Sequence, residues 1–142
     1  MSLASIGVRT SNTTINNASV QLYTTAAVKF RLLECSLVQV TGTASSYGLG
    51  RPAALAITPG TITVLQRDDS ADPACVTSTA LTYGTSPTAP TVYLRRWNSA
   101  ATVGVGIVWT FPRGIMIPVS GALVVFNVSA TVALDVNFAG DE

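Results

Sequence analysis

The stretch that decides the fold runs from Thr91 to Phe138 and reads TVYLRRWNSAATVGVGIVWTFPRGIMIPVSGALVVFNVSATVALDVNF. Its short apolar runs, rich in Val, Ile, Phe and Trp, alternate with turn residues, a pattern typical of strands joined by hairpins. No window repeats apolar residues with the period of a helix. We therefore predict an all-β fold, an antiparallel β-sandwich of about eight to ten strands, jelly-roll-like in arrangement. The predicted turns are Asn98-Ser99, Pro112-Arg113-Gly114, Pro118 to Gly121 and Asn127 to Ala130.

The composition limits the class of protein. The chain has 142 residues, enough for one domain with a core of its own. It is 48% hydrophobic, and only 11% of it is charged, against a usual charged fraction of ~25%. The apolar runs all fall well short of the ~20 residues that a membrane-spanning helix needs. We therefore expect a soluble chain with no membrane partner.

The scarcity of charge indicates permanent contact surfaces. Oligomer interfaces are depleted of charged residues and favour Arg over Lys, and this chain has seven Arg and one Lys. We therefore expect a closed homo-oligomer, with a trimer ahead of a dimer. The net charge of +1, with Arg95-Arg96 as the only adjacent basic pair, argues against a nucleic-acid partner.

Taken in order, the chain divides into a polar N-terminal arm, residues 1–18, and a single sandwich domain, residues 19–142. The longest predicted strand, Ala26 to Thr41, changes the parity of its apolar positions, which a bulge near Leu32-Leu33 would reconcile. Further along, the sequence predicts a long glycine-rich loop at 41–54, a turn at Thr58-Pro59-Gly60 and an acidic loop at 67–73.

The residue types that the chain lacks exclude most catalytic chemistry. It has no His, which rules out Ser-His-Asp and Cys-His arrangements and the common zinc sites. Asp68, Asp69 and Asp72 are close enough in sequence to bind Ca²⁺, but an ordinary solvated acidic loop is the favoured interpretation. The Gly104 to Trp109 run contains half of a GxGxxG fingerprint, and we interpret its glycines as points of close packing in a strand. We predict no enzyme, no cofactor and no metal.

Targeting signals and cysteines give a weaker indication of the compartment. The first residues lack a basic segment followed by an apolar one, so we expect no secretory signal. Cys35 and Cys75 fit buried free thiols in a reducing compartment, and a disulfide between them is the alternative.

Two groups of residues are candidates for a protein interface. In Arg95-Arg96-Trp97, one interpretation places Trp97 in the core with Arg95 on the same face at an edge. The other makes the trio an interface anchor, because Arg and Trp dominate binding hot spots. Tyr47 and Arg51, in the predicted glycine-rich loop, allow the same choice between packing and contact at the tip of a loop.

A family resemblance rests on three segments within residues 45–142, SSYGLGRPAA, YLRRWNSAATVGVGIVWTFPRG and IMIPVSGALVVFNVSA. They resemble small β-sandwich virion proteins of tailed bacteriophages. In that family an apolar strand, a PRG turn, an IP-x-SG turn and a final strand pair with an acidic tail form the C-terminal half. Here the tail is Ala139-Gly140-Asp141-Glu142. The resemblance implies a structural component of the virion and supplies no catalytic residues.

The function that this resemblance implies is capsid decoration. Such a cement protein lies on the capsid surface, binds the major capsid protein and stabilises the head shell. The alternative is a receptor- or glycan-binding head or tail-fibre module of a phage. Glycan-binding sandwiches usually expose a row of aromatic side chains, and the four tyrosines here are dispersed along the sequence.

Overall fold

Eleven β-strands and no helix make up the described part of the chain, residues 2–11, 17–130 and 132–142 of a computed structural model. The strands form two antiparallel sheets, so the predicted all-β sandwich is confirmed, with one strand more than the predicted range. The strands are β1 (Leu3–Arg9), β2 (Ala18–Tyr23), β3 (Phe30–Gln39), β4 (Ser46–Gly50), β5 (Ile57–Val64), β6 (Gln66–Arg67), β7 (Ser78–Thr85), β8 (Arg95–Asn98), β9 (Gly106–Ile117), β10 (Ala122–Asn127) and β11 (Leu134–Asp141).

The topology is that of a jelly roll with one insertion. Four antiparallel pairs, β1 with β11, β2 with β10, β3 with β9 and β4 with β8, join the first part of the chain to the last part in reverse order. The chain therefore folds as one long hairpin, and successive pairs alternate between the two sheets. One sheet has the order β6-β1-β11-β3-β9 and the other the order β5-β7-β2-β10-β4-β8. The insertion, residues 51–94, carries β5, β6 and β7.

The core lies between the two sheets and is built from the inward positions of alternating strands. β10 is buried on both faces: Leu123 and Val125 point into the main core, while Val124 and Phe126 point into a second cluster with Tyr93. This double burial explains why ALVVFN is a continuous apolar run. The largest core side chains from β3 and β11 are Phe30, Leu32, Leu37, Leu134 and Phe138.

β4 is the least recognisable strand in the sequence, because two of its five residues are glycines. Tyr47 and Leu49 point into the main core. A Cβ atom at Gly48 would lie 2.6 Å from Cε1 of Tyr93, and one at Gly50 would lie 2.9 Å from Cγ of Pro90. The glycines therefore leave room for residues 86–94, which cross the outer face of this sheet. The prediction of a loop at 41–54 is wrong over Ser46–Gly50, because these residues form the buried strand β4.

The predicted bulge in β3 is confirmed. β3 pairs with β11 through Leu32–Gly140 and then through Glu34–Ala139, so Leu33 is one extra residue on β3. On its other side, Leu33 faces the four residues 111–114 of β9. The buried positions accordingly shift from Phe30 and Leu32 to Cys35 and Leu37. The turn predicted at Pro112-Arg113-Gly114 is wrong, because β9 continues through these residues, which form its side of the bulge. Gly114 has a φ of 68° there, which favours glycine.

The N-terminal arm predicted for residues 1–18 is wrong over Leu3–Arg9. These residues form β1, which is hydrogen-bonded between β11 and β6. Ala4 is fully buried, and Ile6 and Val8 pack against the core on the same side, so the segment has an apolar face despite its polar composition. Residues 12–16 of the predicted arm lie outside the described residues.

The turn predicted at Thr58-Pro59-Gly60 is also wrong, since these residues lie inside β5 and Pro59 and Gly60 pair with Tyr83 and Thr82 of β7. The turn composition has a local effect nevertheless. Thr58 and Thr61, on either side of Pro59-Gly60, have φ values of 50° and 48°. Such values are unusual for threonine and make this edge strand irregular.

Replacing Gly48 by alanine tests the close approach of Tyr93. We expect Gly48→Ala to lower the free energy of unfolding by about 1–3 kcal/mol, because the added methyl group overpacks the contact with the Tyr93 ring. Urea denaturation measures the change. Gly42→Ala is the matched control, since a Cβ atom there would meet only Cγ2 of Val103, at 4.0 Å. Equal losses in both variants would contradict a tight Gly48–Tyr93 contact.

Candidate functional site

The candidate site lies along one side of the sandwich, where the last strands of the two sheets meet. β9 is the edge strand of one sheet and β8 is the edge strand of the other. The guanidinium carbon of Arg95 on β8 lies 5.1 Å from the centre of the Phe111 ring on β9. We call this side the basic edge, because four exposed arginines lie on or beside it: Arg51, Arg95, Arg96 and Arg113.

Arg95 and Trp97 share one face of β8, as the first interpretation of this trio expects. Trp97 packs against the main core and stacks on Tyr47, with ring centres 5.4 Å apart. Arg95 stays exposed at the rim, donates a hydrogen bond from Nη1 to the Leu94 carbonyl at 2.8 Å, and covers Phe111 with its guanidinium group. Its charge therefore remains available to a partner while its stem shields an apolar ring.

Arg96 points to the opposite face of the same strand. Its guanidinium carbon lies 5.3 Å from the centre of the Tyr93 ring, a cation–π contact that helps to hold residues 86–94 on the outer face of the sheet. The two adjacent arginines thus present positive charge on both faces of an edge strand, which leaves β8 unsuited to uncontrolled strand pairing.

Tyr47 and Arg51 are separated by the structure. Tyr47 is 0% exposed, so its predicted contact at the tip of a loop is wrong: the ring is a core residue beneath Trp97. Arg51 follows directly after β4, is exposed, and donates from Nη2 to the Met116 carbonyl of β9 at 2.9 Å. It therefore joins the edges of the two sheets and remains a surface candidate.

A shallow apolar groove of about 480 Å³ lies between β8 and β9. Phe111 forms its floor, Leu94 and Ile115 add apolar walls, and Arg95 and Arg113 flank it with positive charge. Sequence reasoning missed Arg113 and Phe111 as site residues, because it assigned a turn to the segment that contains Arg113. The sequence did contain a signal for them, the PRG triplet inside an apolar run. Pro and Gly in such a run are typical of an edge strand with a bulge as well as of a turn.

A second cluster of polar side chains surrounds Glu142, whose side chain is 5% exposed. Its carboxylate accepts hydrogen bonds from Arg67 Nη2 at 2.8 Å, the Cys75 thiol at 3.1 Å, and the backbone N–H and hydroxyl of Thr77 at 2.6 and 2.5 Å. The Val76 N–H also donates to it. Arg67 further donates to the carbonyls of Ser2 and Pro73. The cluster therefore ties the insertion to both β1 and β11.

The electrostatics of the Glu142 cluster favour a structural role, that of a clasp between the insertion and the two terminal strands. Burial alone would raise the pKa of Glu142, but the hydrogen bonds from Thr77, Cys75 and Val76 outweigh it and lower that pKa below 4.5. A carboxylate so stabilised is a poor general base. Burial, reinforced by the hydrogen bond to Glu142, raises the pKa of the Cys75 thiol to about 11, so this thiol is a poor nucleophile.

The two cysteines are free thiols, and both are buried. Burial, aided by the nearby charge of Glu34, also raises the pKa of Cys35. Among the described residues, no three His, Cys, Asp or Glu side chains converge as metal ligands would. Asp68 accepts a hydrogen bond from the Ser5 hydroxyl, and Asp69 caps the Ala71 N–H.

The described chain does not contain a helix of the length and apolar character that crossing a bilayer requires.

Comparison with known proteins adds no family to this geometry. No family model matches the chain, and no curated protein or solved structure is significantly similar to it. The resemblance to bacteriophage virion proteins therefore stays a prediction.

Replacing the buried carboxylate tests the clasp. We expect Glu142→Gln to lower the free energy of unfolding by about 2–4 kcal/mol, because it leaves the Arg67 charge without its partner and replaces one acceptor oxygen with an NH2 donor that faces other donors. Glu34→Gln is the matched control, since Glu34 is the other glutamate of the chain and is exposed. Chemical denaturation of both variants decides: similar stabilities would show that Glu142 contributes little.

The same cluster predicts a dependence of stability on pH. The pKa of Glu142 is lower in the folded chain than its ordinary value of 4.5, so the unfolded chain binds a proton first as the pH falls. Its contribution is complete above that ordinary value and is lost as the pH falls through the folded value. Denaturation at a series of pH values should therefore show falling stability below about pH 4.5, with a shallower fall in Glu142→Gln. Identical slopes would contradict the assignment.

Proposed function

We propose that this chain is a structural virion protein of a tailed bacteriophage, a capsid decoration (cement) protein. In this proposal it lies on the capsid surface as a closed homo-oligomer and binds the major capsid protein. It stabilises the head shell through contact area, without catalysis and without a cofactor. Because it binds only the assembled lattice, each bound copy stabilises that lattice by mass action.

The observation that carries the proposal is the basic edge with its apolar groove. Protein interfaces combine apolar groups with Arg, and the groove brings Leu94 and Ile115 together with Arg95 and Arg113 above the buried ring of Phe111. The edge has no nucleophile or general base beside it among the residues of the groove. Its chemistry therefore suits recognition of another protein surface.

The fold adds support of a more general kind. Jelly rolls are used by viral capsid proteins and also by lectins and cupins, so the topology is compatible with a virion role but shared with other functions. The resemblance of residues 45–142 to phage virion proteins points to the first of these groups. Leu3–Arg9 is a paired strand of the sandwich, so in this proposal the contact with the shell is made by the surface of the sandwich and not by this segment.

The alternative, a receptor- or glycan-binding module, lacks a specific observation in its favour. Sugar-binding sites stack the ligand on exposed aromatic rings, and all ten aromatic side chains of this chain are buried or half-buried. Four of them, Phe30, Tyr47, Phe126 and Phe138, are fully enclosed in the two clusters. We therefore retain capsid decoration as the proposed function.

Copy number in purified virions tests the proposal directly. We expect hundreds of copies per particle, distributed over the head, because a decoration protein follows the lattice of the shell. A few copies at the tail would favour the fibre module instead. Quantitative mass spectrometry of intact particles, with immunogold labelling to locate the chain, distinguishes the two.

Shell stability provides the functional test. Particles that lack the protein should release their DNA at a lower temperature than complete particles, and adding back the purified protein should restore the higher temperature. The add-back is also the control, since it uses the same particles. Equal release temperatures with and without the protein would overturn the proposal.

A further inference from the structure

The side of the sandwich opposite the basic edge has the opposite charge. β5 and β6 are the last strands of the two sheets on that side, and a single residue, Leu65, separates them in the chain. The loop that follows β6 carries Asp68, Asp69 and Asp72. We call this side the acidic edge. Its one cation, Arg67, is 11% exposed and paired with Glu142, so it contributes little positive charge to the surface.

The acidic edge is also apolar and lacks a covering partner within the described chain. β5 contains no charged residue, and Ile57 and Ile62 are 62% and 52% exposed. Val64 and Asp72 line one groove of about 540 Å³, so an exposed apolar side chain and a carboxylate border the same groove. Exposed apolar strands at a sheet edge are a hazard in a free monomer and normally mark a contact surface.

The two edges complement each other in both charge and apolar character. The basic edge has a groove with Phe111 as its floor and Arg95 and Arg113 at its rim. The acidic edge has exposed Ile62 and Val64 on β5 and the three aspartates in the loop after β6. Contact between two basic edges or two acidic edges would place like charges together, which opposes association. Contact between a basic and an acidic edge avoids this conflict.

We propose that copies of this chain associate head to tail, with the basic edge of one copy against the acidic edge of the next. Arg95 and Arg113 pair with Asp69 and Asp72 of the neighbouring copy, and Ile62 and Val64 cover the groove. Such a heterologous contact uses two different surfaces of each copy, so it closes into a ring when its rotation permits. The inference deepens the proposed function, because it specifies how the homo-oligomer of that proposal is built.

Charge reversal on each edge tests the contact in the purified protein. One variant carries Arg95→Glu and Arg113→Glu, a second carries Asp69→Lys and Asp72→Lys, and a third combines all four changes. We expect each of the first two to associate about 100-fold more weakly than the unaltered chain, because like charges then face each other. The combined variant has both edges exchanged and should recover the oligomer. Light scattering coupled to size-exclusion chromatography measures the masses.

Mixing the first two variants gives a more specific result. Each interface between unlike variants is attractive and each interface between like variants is repulsive, so copies must alternate around a ring. A ring with an even number of copies forms from the mixture, whereas a trimer does not close and leaves open complexes of unlike copies. Either result supports head-to-tail contact. A mixture that remains monomeric while the combined variant also remains monomeric overturns the proposal.

Folding of every variant is checked by thermal denaturation, and a chemical cross-link provides a test that does not depend on charge. Arg113→Cys and Asp72→Cys in one chain should give a ladder of covalent oligomers with a short bis-maleimide. Either single cysteine variant should give no ladder, because the native Cys35 and Cys75 are buried. An unaltered chain that is monomeric at micromolar concentration, or a double-cysteine variant without a ladder, overturns the inference.

These experiments separate the inference from the proposed function. If the oligomer forms through the two edges but shells do not bind it, the ring stands and capsid decoration fails. If shells bind the chain as isolated single copies, capsid decoration stands and the ring fails. The salt dependence of the oligomer adds a further readout, since exposed charge pairs weaken as ionic strength rises.

Discussion

The long-range antiparallel pairing of the first part of the chain with the last part is the constraint on which the structure depends. Every core strand from β1 to β4 has its main partner among β8 to β11. None of these four pairs is therefore formed by residues close in sequence. The entropy lost in closing long loops must be overcome before their hydrogen bonds and the core form. The same pairing explains why an insertion of residues 51–94 is tolerated, since it lies at the closed end of the long hairpin.

Two networks satisfy several of the polar groups that this arrangement buries. Near the β4–β8 pair, the Gln39 amide donates to the Thr41 and Ala100 carbonyls at 2.6 and 3.1 Å and accepts from the Ser99 hydroxyl. That network is uncharged. At the other place, Glu142 and Arg67 form a buried ion pair with additional donors. Buried polar groups of this kind define which loops meet more than they add net stability, because desolvation offsets much of the attraction.

The exposed charges of the chain are distributed unevenly over its surface. A chain with few charges cannot solvate all of its surface with them, and most of its exposed arginines lie along one side of the sandwich. The carboxylates of the acidic loop lie along the other. Jelly rolls close their sheets onto each other but leave strand edges at both sides, and several exposed apolar residues of this chain, Ile57, Ile62 and Val64 among them, lie at one of those edges.

Local patterns in the sequence were sufficient for the fold class and for some details within strands. The change of apolar parity between Leu32 and Cys35 predicted the bulge, because side chains alternate between faces with a fixed period of two. Continuous apolar runs such as ALVVFN also marked strands, and this one is continuous because β10 is buried on both faces. The alternation of side chains along a strand indicated that Arg95 and Trp97 share one face and that Arg96 lies on the other.

What remained undetermined by the sequence depends on partners that are distant along the chain. Gly48 and Gly50 are residues typical of loops, but here they lie in a buried strand. Glycine is needed at both positions because Tyr93 and Pro90 occupy the space that a side chain would fill. Leu3–Arg9 has the composition of an arm, but it pairs with Leu134–Asp141, at the other end of the chain. Glu142 lies in a segment that the sequence indicated to be an acidic tail, yet its carboxylate is buried and accepts hydrogen bonds from Arg67 and Thr77. In each case the residue type sets which conformations are permitted locally, and only the tertiary contact selects among them, because burial and hydrogen bonding are properties of the neighbours that folding brings together.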